Sequence, residues 1–398
     1  MANPLVAFLD PRSFGHHPMY TRVIVERLLK AGARVGCGCA DPGDMAAWVK
    51  KRLGAKMVER LVLKRMDWAL PRWSLPGKWG YVPAMLHRVR LWKEAANTVR
   101  MIEAEAHSKV DHVFFGMIDD YLTGGLPPGY PDTVFPFNWS GILMFPPRNS
   151  PNGYPRMQRW ALKTIQHSRY CRNLFVLVES VVNELGAATN KPVHAFPDFC
   201  PETQPGNSTI ADRIKAQANG RSIIGLFGII DNRKGIHELL ETARQAGDRP
   251  WFFAVVGSGG YAQGRMEAEI FSEAVHQANL SNLCFIDTAI PCSEFDALID
   301  TCDLIWAAYK DFPNSSNVIT RASFRKKPVI VTAGGLLANR VRRFENGVVV
   351  PELTPKPIIE GIEAALDNMF SDGCGRYHEE HSLAKLDRVL NESFPEIK

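Results

Sequence analysis

The stretch FGIIDNRKG places Asp231, Arg233 and Lys234 between Gly228 and Gly235, after the apolar run Ile223–Phe227 and before an amphipathic segment. Two adjacent cations at such a junction are either a solvated turn or an anion site. A helix N-terminus already offers unpaired N–H groups and the positive end of its dipole, so added cations there suit a phosphate. A second device of the same kind follows Tyr309. There a turn-rich loop reaches Ser315, Ser316 and Asn317, all good N-cap residue types, before a helix that runs to about Lys326. The buried strand KPVIV then ends at TAGG, whose glycines let backbone approach a ligand closely. Two such devices after parallel strands suit a diphosphate better than a single phosphate.

These groups need strands to end beside them, and the pattern supplies strands. Apolar runs at 223–227, 252–256, 283–286, 303–306, 328–331 and 347–350 alternate with helices starting near Gly235, near Ala262 and at Asn317. A further helix after Thr354 carries Ile358, Ile359, Ile362, Leu366 and Met369 on one face. The N-terminal half repeats the theme. Leu5–Leu9 reads as a strand buried on both faces, and Tyr20, Val23, Ile24 and Leu28 mark one face of a helix closed by Gly32. Residues 34–39, 112–115, 133–137, 174–178 and 193–196 read as further strands, with His112 inside one of them. The polar, turn-rich stretch 198–220 marks the best boundary. Strands alternating with helices predict parallel sheets covered on both sides, with ligands at the strands' C-terminal ends. The expected organisation is α/β: residues 1–200 as one doubly wound domain, 201–375 as a second, and a C-terminal helix at 376–398 returning to the first. The default site is a cleft that the two domains face.

Bulk composition narrows the class. The chain has 398 residues, 45% hydrophobic and 22% charged, which is ordinary for a globular protein. No run of 18 or more apolar residues reads as a membrane span, and the N-terminus lacks a basic stretch followed by an apolar core. The eight cysteines show no CxxC or metal-ligand spacing, which predicts reduced, buried thiols and a cytoplasmic protein.

The net charge of +5 conceals an asymmetry, because Lys50–Arg100 holds thirteen Lys and Arg against Glu59, Asp67 and Glu94. Trp48, Trp68, Trp73, Trp79 and Trp92 fall in or beside it. KKRLGAKMVERLVLKRM within it reads as helical, with Leu53, Met57, Leu61 and Lys64 near one face. Residues 48–100 therefore form a peripheral contact with the inner face of a membrane, a solvated helix pair with core tryptophans, or a basic pocket for an anionic acceptor. No nucleic-acid recognition motif accompanies the charge, so nucleic acid is not an expected partner.

The order GIIDNRKGI, FFAVVGSGG, CDLIWAAY, NVITRASFRKKPVIVTAGG and ENGVVVP resembles the C-terminal domain of the GT-B glycosyltransferases of family 4 (group 1). The resemblance covers roughly 200–370. It implies two Rossmann-like domains facing a cleft, and retaining, hexosyltransferase-type transfer from a nucleotide-diphosphate sugar with no metal or cofactor. The acceptor would be a glycan, a lipid-linked molecule or a small molecule. By position, Lys234 and Arg233 would hold the donor diphosphate, Gly228 would allow close approach, the backbone at Ser315, Ser316 and Asn317 would bind phosphate, and Gly257 and Gly259 match the family's glycine turn after a strand on the donor side.

The pattern is not followed throughout. Ile229 stands where the family carries an arginine, and the family's two glutamates fall on Pro313 and Arg321. Arg321 then contacts the donor's phosphate or serves as an ion-pair partner, and Asp311 is a candidate substitute for the first acid. In the first domain, FGHHPMY occupies the acceptor-side loop, which makes Gly15, His16 and His17 candidates there. The family's histidine after the fourth strand maps near Gly116, with Asp119 and Asp120 just beyond. Those two acids either touch sugar hydroxyls and stabilise positive charge at the anomeric carbon, or cap a helix. A non-catalytic nucleotide-sugar or glycan-binding scaffold and a sugar-nucleotide epimerase are the alternatives.

Overall fold

A computed structural model describes residues 3–13, 15–67, 81–122, 126–148, 154–202, 204–259 and 262–394. Trp68, Trp73 and Trp79 lie outside the described residues. The chain divides into two compact units, Met1–Pro197 with Leu386–Lys398, and Asp198–Lys385.

The first unit contains β1 Leu5–Asp10, β2 Arg34–Cys39, β3 Leu61–Arg65, β4 His112–Phe115, β5 Trp139–Leu143, β6 Cys171–Val176 and β7 Val193–Ala195. They form one parallel sheet in the order β3-β2-β1-β4-β5-β6-β7. The order reverses between β1 and β4, the place where crevices form outside the strand ends of doubly wound sheets. Strands β1 and β4 are buried at every position, as parallel strands covered on both faces must be. Helix His17–Lys30 buries Tyr20, Val23, Ile24 and Leu28, the stripe that predicted it.

The second unit contains β8 Ser222–Phe227, β9 Trp251–Gly257, β10 Leu283–Asp287, β11 Leu304–Ala307, β12 Val329–Thr332 and β13 Gly347–Val350. Their order is β10-β9-β8-β11-β12-β13, again all parallel, with the reversal between β8 and β11. Separate apolar clusters cover its faces. One gathers Phe227, Leu298, Ile319 and Tyr377, and the other Leu226, Ile236, Trp306 and Ile362.

Three expectations need correction. The strand expected at 133–137 is absent; Tyr130–Val134 is a short helix with proline at its start, and the strand lies at Trp139–Leu143. Pro136 has no N–H for a ladder, whereas Gly141 lets β5 pass Ile118, whose Cβ would sit 2.7 Å from a Cβ at that position. The helical stripe over 50–66 is also absent. Helix Pro42–Leu53 stops at Gly54 (φ +89°), and Leu61–Arg65 pairs with β2 as a half-buried edge strand. Leu53, Met57, Leu61 and Lys64 therefore share no helix face. Finally, the divisions expected at 200/201 and 375/376 fall instead at Pro197/Asp198 and Lys385/Leu386. Helix Ser371–His381 stays with the second unit because Tyr377 is fully buried there, its hydroxyl 3.2 Å from Arg340 Nη1. From Leu386 onward the chain packs on the first unit, with Phe394 against Phe114 and Asn173 Nδ2 donating to Ser393 O.

Candidate active site

In the second unit, β8 delivers the chain to Gly228 at φ +100°, a backbone state that side chains other than glycine rarely adopt. A Cβ on Gly257, at the end of β9, would lie 1.7 Å from Gly228 O, so the two glycines let neighbouring strand ends touch. The chain then makes a 3-10 turn, Asn232–Lys234, passes through Gly235 and enters helix Ile236–Gln245. Two bonds fasten this turn to the end of β11. Trp306 Nε1 donates to Lys234 O (3.0 Å), and Lys310 N donates to Arg233 O (2.7 Å).

The cations differ sharply in setting. Lys234 is only 5% exposed and its Nζ donates to Phe227 O. Burial first, and the neighbouring Arg233 second, push its pKa down to about 7, with Asp231 opposing. Among the described residues, no carboxylate lies within ion-pairing distance of its amine. Arg233 is half-exposed, pairs with Asp231 at 3.1 Å and lies 4.6 Å over the Phe312 ring and 5.4 Å over Tyr309. Tyr309 links the two devices: Lys234 Nζ is 5.8 Å from its ring, and its hydroxyl is 3.4 Å from Ser316 Oγ.

The serine-rich turn does not cap its own helix. Ser316 occupies the N-cap of helix Asn317–Phe324 without a side-chain cap bond. Ser315 Oγ donates instead to Asp198, and Asn317 Nδ2 donates to Asp198 Oδ1 (3.0 Å) and Phe199 O (2.7 Å). Arg340 Nη1 donates to Ser315 Oγ (2.6 Å). Of the roles open to Arg321, the ion pair is the one observed. Its buried guanidinium meets Asp296 at 2.6 Å, donates to Asn317 Oδ1 and lies 5.0 Å over the Phe295 ring. Asp311 is exposed at φ +42°.

In the first unit, the ends of β1 and β4 collect charge. His17 is buried, with Nδ1 2.9 Å from Asp10 Oδ2 and Nε2 3.4 Å from Arg12 Nη1. Arginine has only donors, so Nε2 accepts and the ring proton sits on Nδ1, facing Asp10. Arg12 in turn pairs with Asp120. Gly15 and His16 are exposed, and His16 stacks on His17 at 4.7 Å. Of the two histidines, His16 is the one solvent reaches. No side chain fits at Gly116, where a Cβ would lie 2.8 Å from Asp10 Oδ2.

The Asp119 carboxylate accepts the N–H groups of Met144 and Phe145 at 2.9 Å each, fixing the loop after β5. Burial pushes its pKa up to about 6 against those two bonds. Asp120 is also raised by burial, opposed by Arg12 and Arg88. His112 is structural, bonded to Ser140 Oγ at 2.9 Å and forced by burial down to about 3.

Sequence reasoning missed Asp10, Arg12, Asp198, Arg340 and Tyr377. Asp10, the last residue of a buried apolar strand, was a signal that could have been read. Asp198 and Arg340 lie more than a hundred residues apart and carry no local signal.

Two Rossmann-like units of this topology define the GT-B fold. It is shared along nearly the whole chain with Anabaena HepE in complex with UDP and glucose (TM-score 0.68, 13% identity, 99% of this chain and 100% of that one). Sucrose-phosphate synthase from Thermosynechococcus elongatus gives 0.69 at 15% identity, covering 99% of each chain. A glycosyltransferase from Rickettsia africae gives 0.67 at 15% identity, covering 100% of this chain and 99% of that one. No curated protein sequence matches. Residues 221–368 match the family described as Glycosyl transferases group 1, and with that domain the chain is a glycosyltransferase.

Proposed function

We propose that the enzyme is a retaining, metal-independent transferase that moves a sugar from a nucleotide-diphosphate sugar to a glycan or lipid-linked acceptor. The observation that carries this reading is Lys234, a buried amine at the end of β8 whose one described hydrogen-bond acceptor is a backbone carbonyl. Such a group is poorly stabilised until an anion arrives, and a diphosphate supplies one. As the bond from the anomeric carbon to the diphosphate oxygen breaks, charge grows on the leaving group. Lys234, Arg233 and the start of helix Asn317–Phe324 are preorganised to receive it. The acceptor oxygen bonds to the anomeric carbon on the same face, and its proton passes to the departing phosphate oxygen, so no separate base is required. Gly228 and Gly257 keep the approach to the phosphates clear of side chains. On the acceptor side, Gly15, His16 and Asp120 line the loop, while His17 holds Arg12 and Asp119 holds the loop after β5.

HepE binds UDP and UDP-glucose in its solved complexes, so UDP sugars are the first donors to test here. Among the described residues, membrane contact would fall to exposed Lys50, Lys51, Arg52 and Lys56. Trp92 is core, and Trp48 sits between Arg22 and Arg52 at 5.5 and 5.6 Å. Among the described residues, no helix is long and apolar enough to cross a membrane.

The test is a panel of nucleotide sugars, read first by thermal shift and then by NMR of the anomeric configuration in the product. Retention supports the mechanism and inversion refutes it. Donor conversion without acceptor marks an epimerase, and binding without turnover marks a scaffold.

A further inference from the structure

The turn that carries Arg233 and Lys234 ends at a joint. Gly235, at φ +70°, stands between the 3-10 turn Asn232–Lys234 and helix Ile236–Gln245. Glycine restricts backbone rotation less than any other residue, so cations displayed just before it are aimed only as well as the joint is held. The joint also lies close to the segment after β11, where a Cβ on Gly235 would come within 2.8 Å of Ala308 O.

Lys310, in that segment, spans the joint. Its Nζ donates to Asn232 Oδ1 on the turn at 3.0 Å and pairs with Glu238 Oε1 in the first turn of the helix at 2.7 Å. Its own N–H donates to Arg233 O at 2.7 Å. One residue thus grips both sides of the glycine, at three points. The start of the turn is held separately by helix Ala262–Ala278, where Glu267 Oε2 accepts Asn232 N at 2.6 Å. The side chains of Lys310 and Glu238 are 33% and 23% exposed, so their ion pair should add little to folding stability. What it does by position is close a bridge across the one glycine between the cations and their helix.

We propose that Lys310 is a positioning residue and Glu238 its anchor, together fixing the glycine joint so that Arg233 and Lys234 are aimed before a diphosphate arrives. This rests on the diphosphate reading above. It adds that two charged residues serve the donor site through the turn they brace, without touching the donor.

The test measures binding of UDP and of inorganic pyrophosphate by calorimetry, pyrophosphate reporting diphosphate recognition without the base. Lys310→Met should weaken both by about tenfold, because small misplacements of preorganised groups are costly. Glu238→Met supplies the discriminating sign. Removing a carboxylate near an anion site should by charge alone tighten binding, whereas losing the anchor should weaken it by about threefold or more. Glu238→Gln keeps an oxygen for Lys310 Nζ and should recover most of what Glu238→Met loses. Without ligand, all three variants should unfold within a few degrees of wild type. Tighter or unchanged binding in Glu238→Met overturns the proposal, and so do equal losses in Glu238→Met and Glu238→Gln. A folded Lys310→Met that binds like wild type also overturns it while leaving Lys234 in its role. If Lys310→Met does not fold, the two Glu238 variants decide by the same signs. Wild-type protein that binds neither probe refutes the diphosphate reading itself, and this inference with it.

Discussion

Replacing Lys234 with methionine keeps the volume of the side chain and removes its charge, and two effects of opposite sign should follow. Lys234 ordinarily titrates near 10.5 and is held down at about 7 in the folded protein, chiefly by burial. That gap corresponds to roughly 5 kcal/mol of destabilisation when the amine is charged. Because the folded value is depressed, the penalty is complete below about pH 7, shrinks as pH rises from about 7 towards 10.5, and vanishes above that. Against this, the variant strands Phe227 O, at a cost of about 1 kcal/mol. The ligand-free variant should therefore unfold at a higher temperature than wild type at pH 6, and the advantage should fade by pH 10. Catalysis should move the other way. Loss of one preorganised contact to the leaving group costs about 3 kcal/mol, a rate loss of more than a hundredfold. Differential scanning fluorimetry across pH and initial rates at saturating donor measure the two. A variant that turns over like wild type, or that is less stable at every pH, would refute the assignment of a buried amine waiting for a diphosphate.

The other predictions are more local. Arg321→Glu sets a second carboxylate against buried Asp296, and should cost about 3–5 kcal/mol in chemical denaturation; an unchanged midpoint would remove the ion pair from the account. Gly257→Ala should displace Gly228 and raise the donor KM by about an order of magnitude or more, because its Cβ would meet Gly228 O at 1.7 Å. Wild-type donor kinetics in that variant would show that the two strand ends move apart freely. Sedimentation with anionic vesicles should show salt-sensitive binding that weakens by about 1 kcal/mol for each charge removed among Lys50, Lys51, Arg52 and Lys56. No binding at low salt would end the membrane reading.

How much of this was legible before the structure varies element by element. Buried parallel strands such as β8, β9 and β12 are legible because both of their faces are covered, so each reads as an unbroken apolar run. The turn holding Arg233 and Lys234 is legible because strand end, glycine, cation and helix start are contiguous in the chain. Edge strand β3 is the counterexample. It is covered only in part, so LVLKR mixes apolar and basic residues and mimics a helix stripe until β2 claims it.

Side-chain commitments were set by tertiary contacts. Ser315 and Asn317 are capping residues by type, but the fold puts Ser316 at the N-cap and gives the side chains of the other two to Asp198. Arg321 could meet a phosphate or an acid until Asp296 fills its guanidinium. His16 and His17 are adjacent in sequence, but only the fold buries one against Asp10 and leaves the other in water. Periodicity determined the two sheets of this protein because backbone hydrogen bonding and burial repeat along the chain. Which polar groups remain available to a ligand was decided by three-dimensional packing, because each buried donor or acceptor takes the partner nearest in space, whatever the distance in sequence.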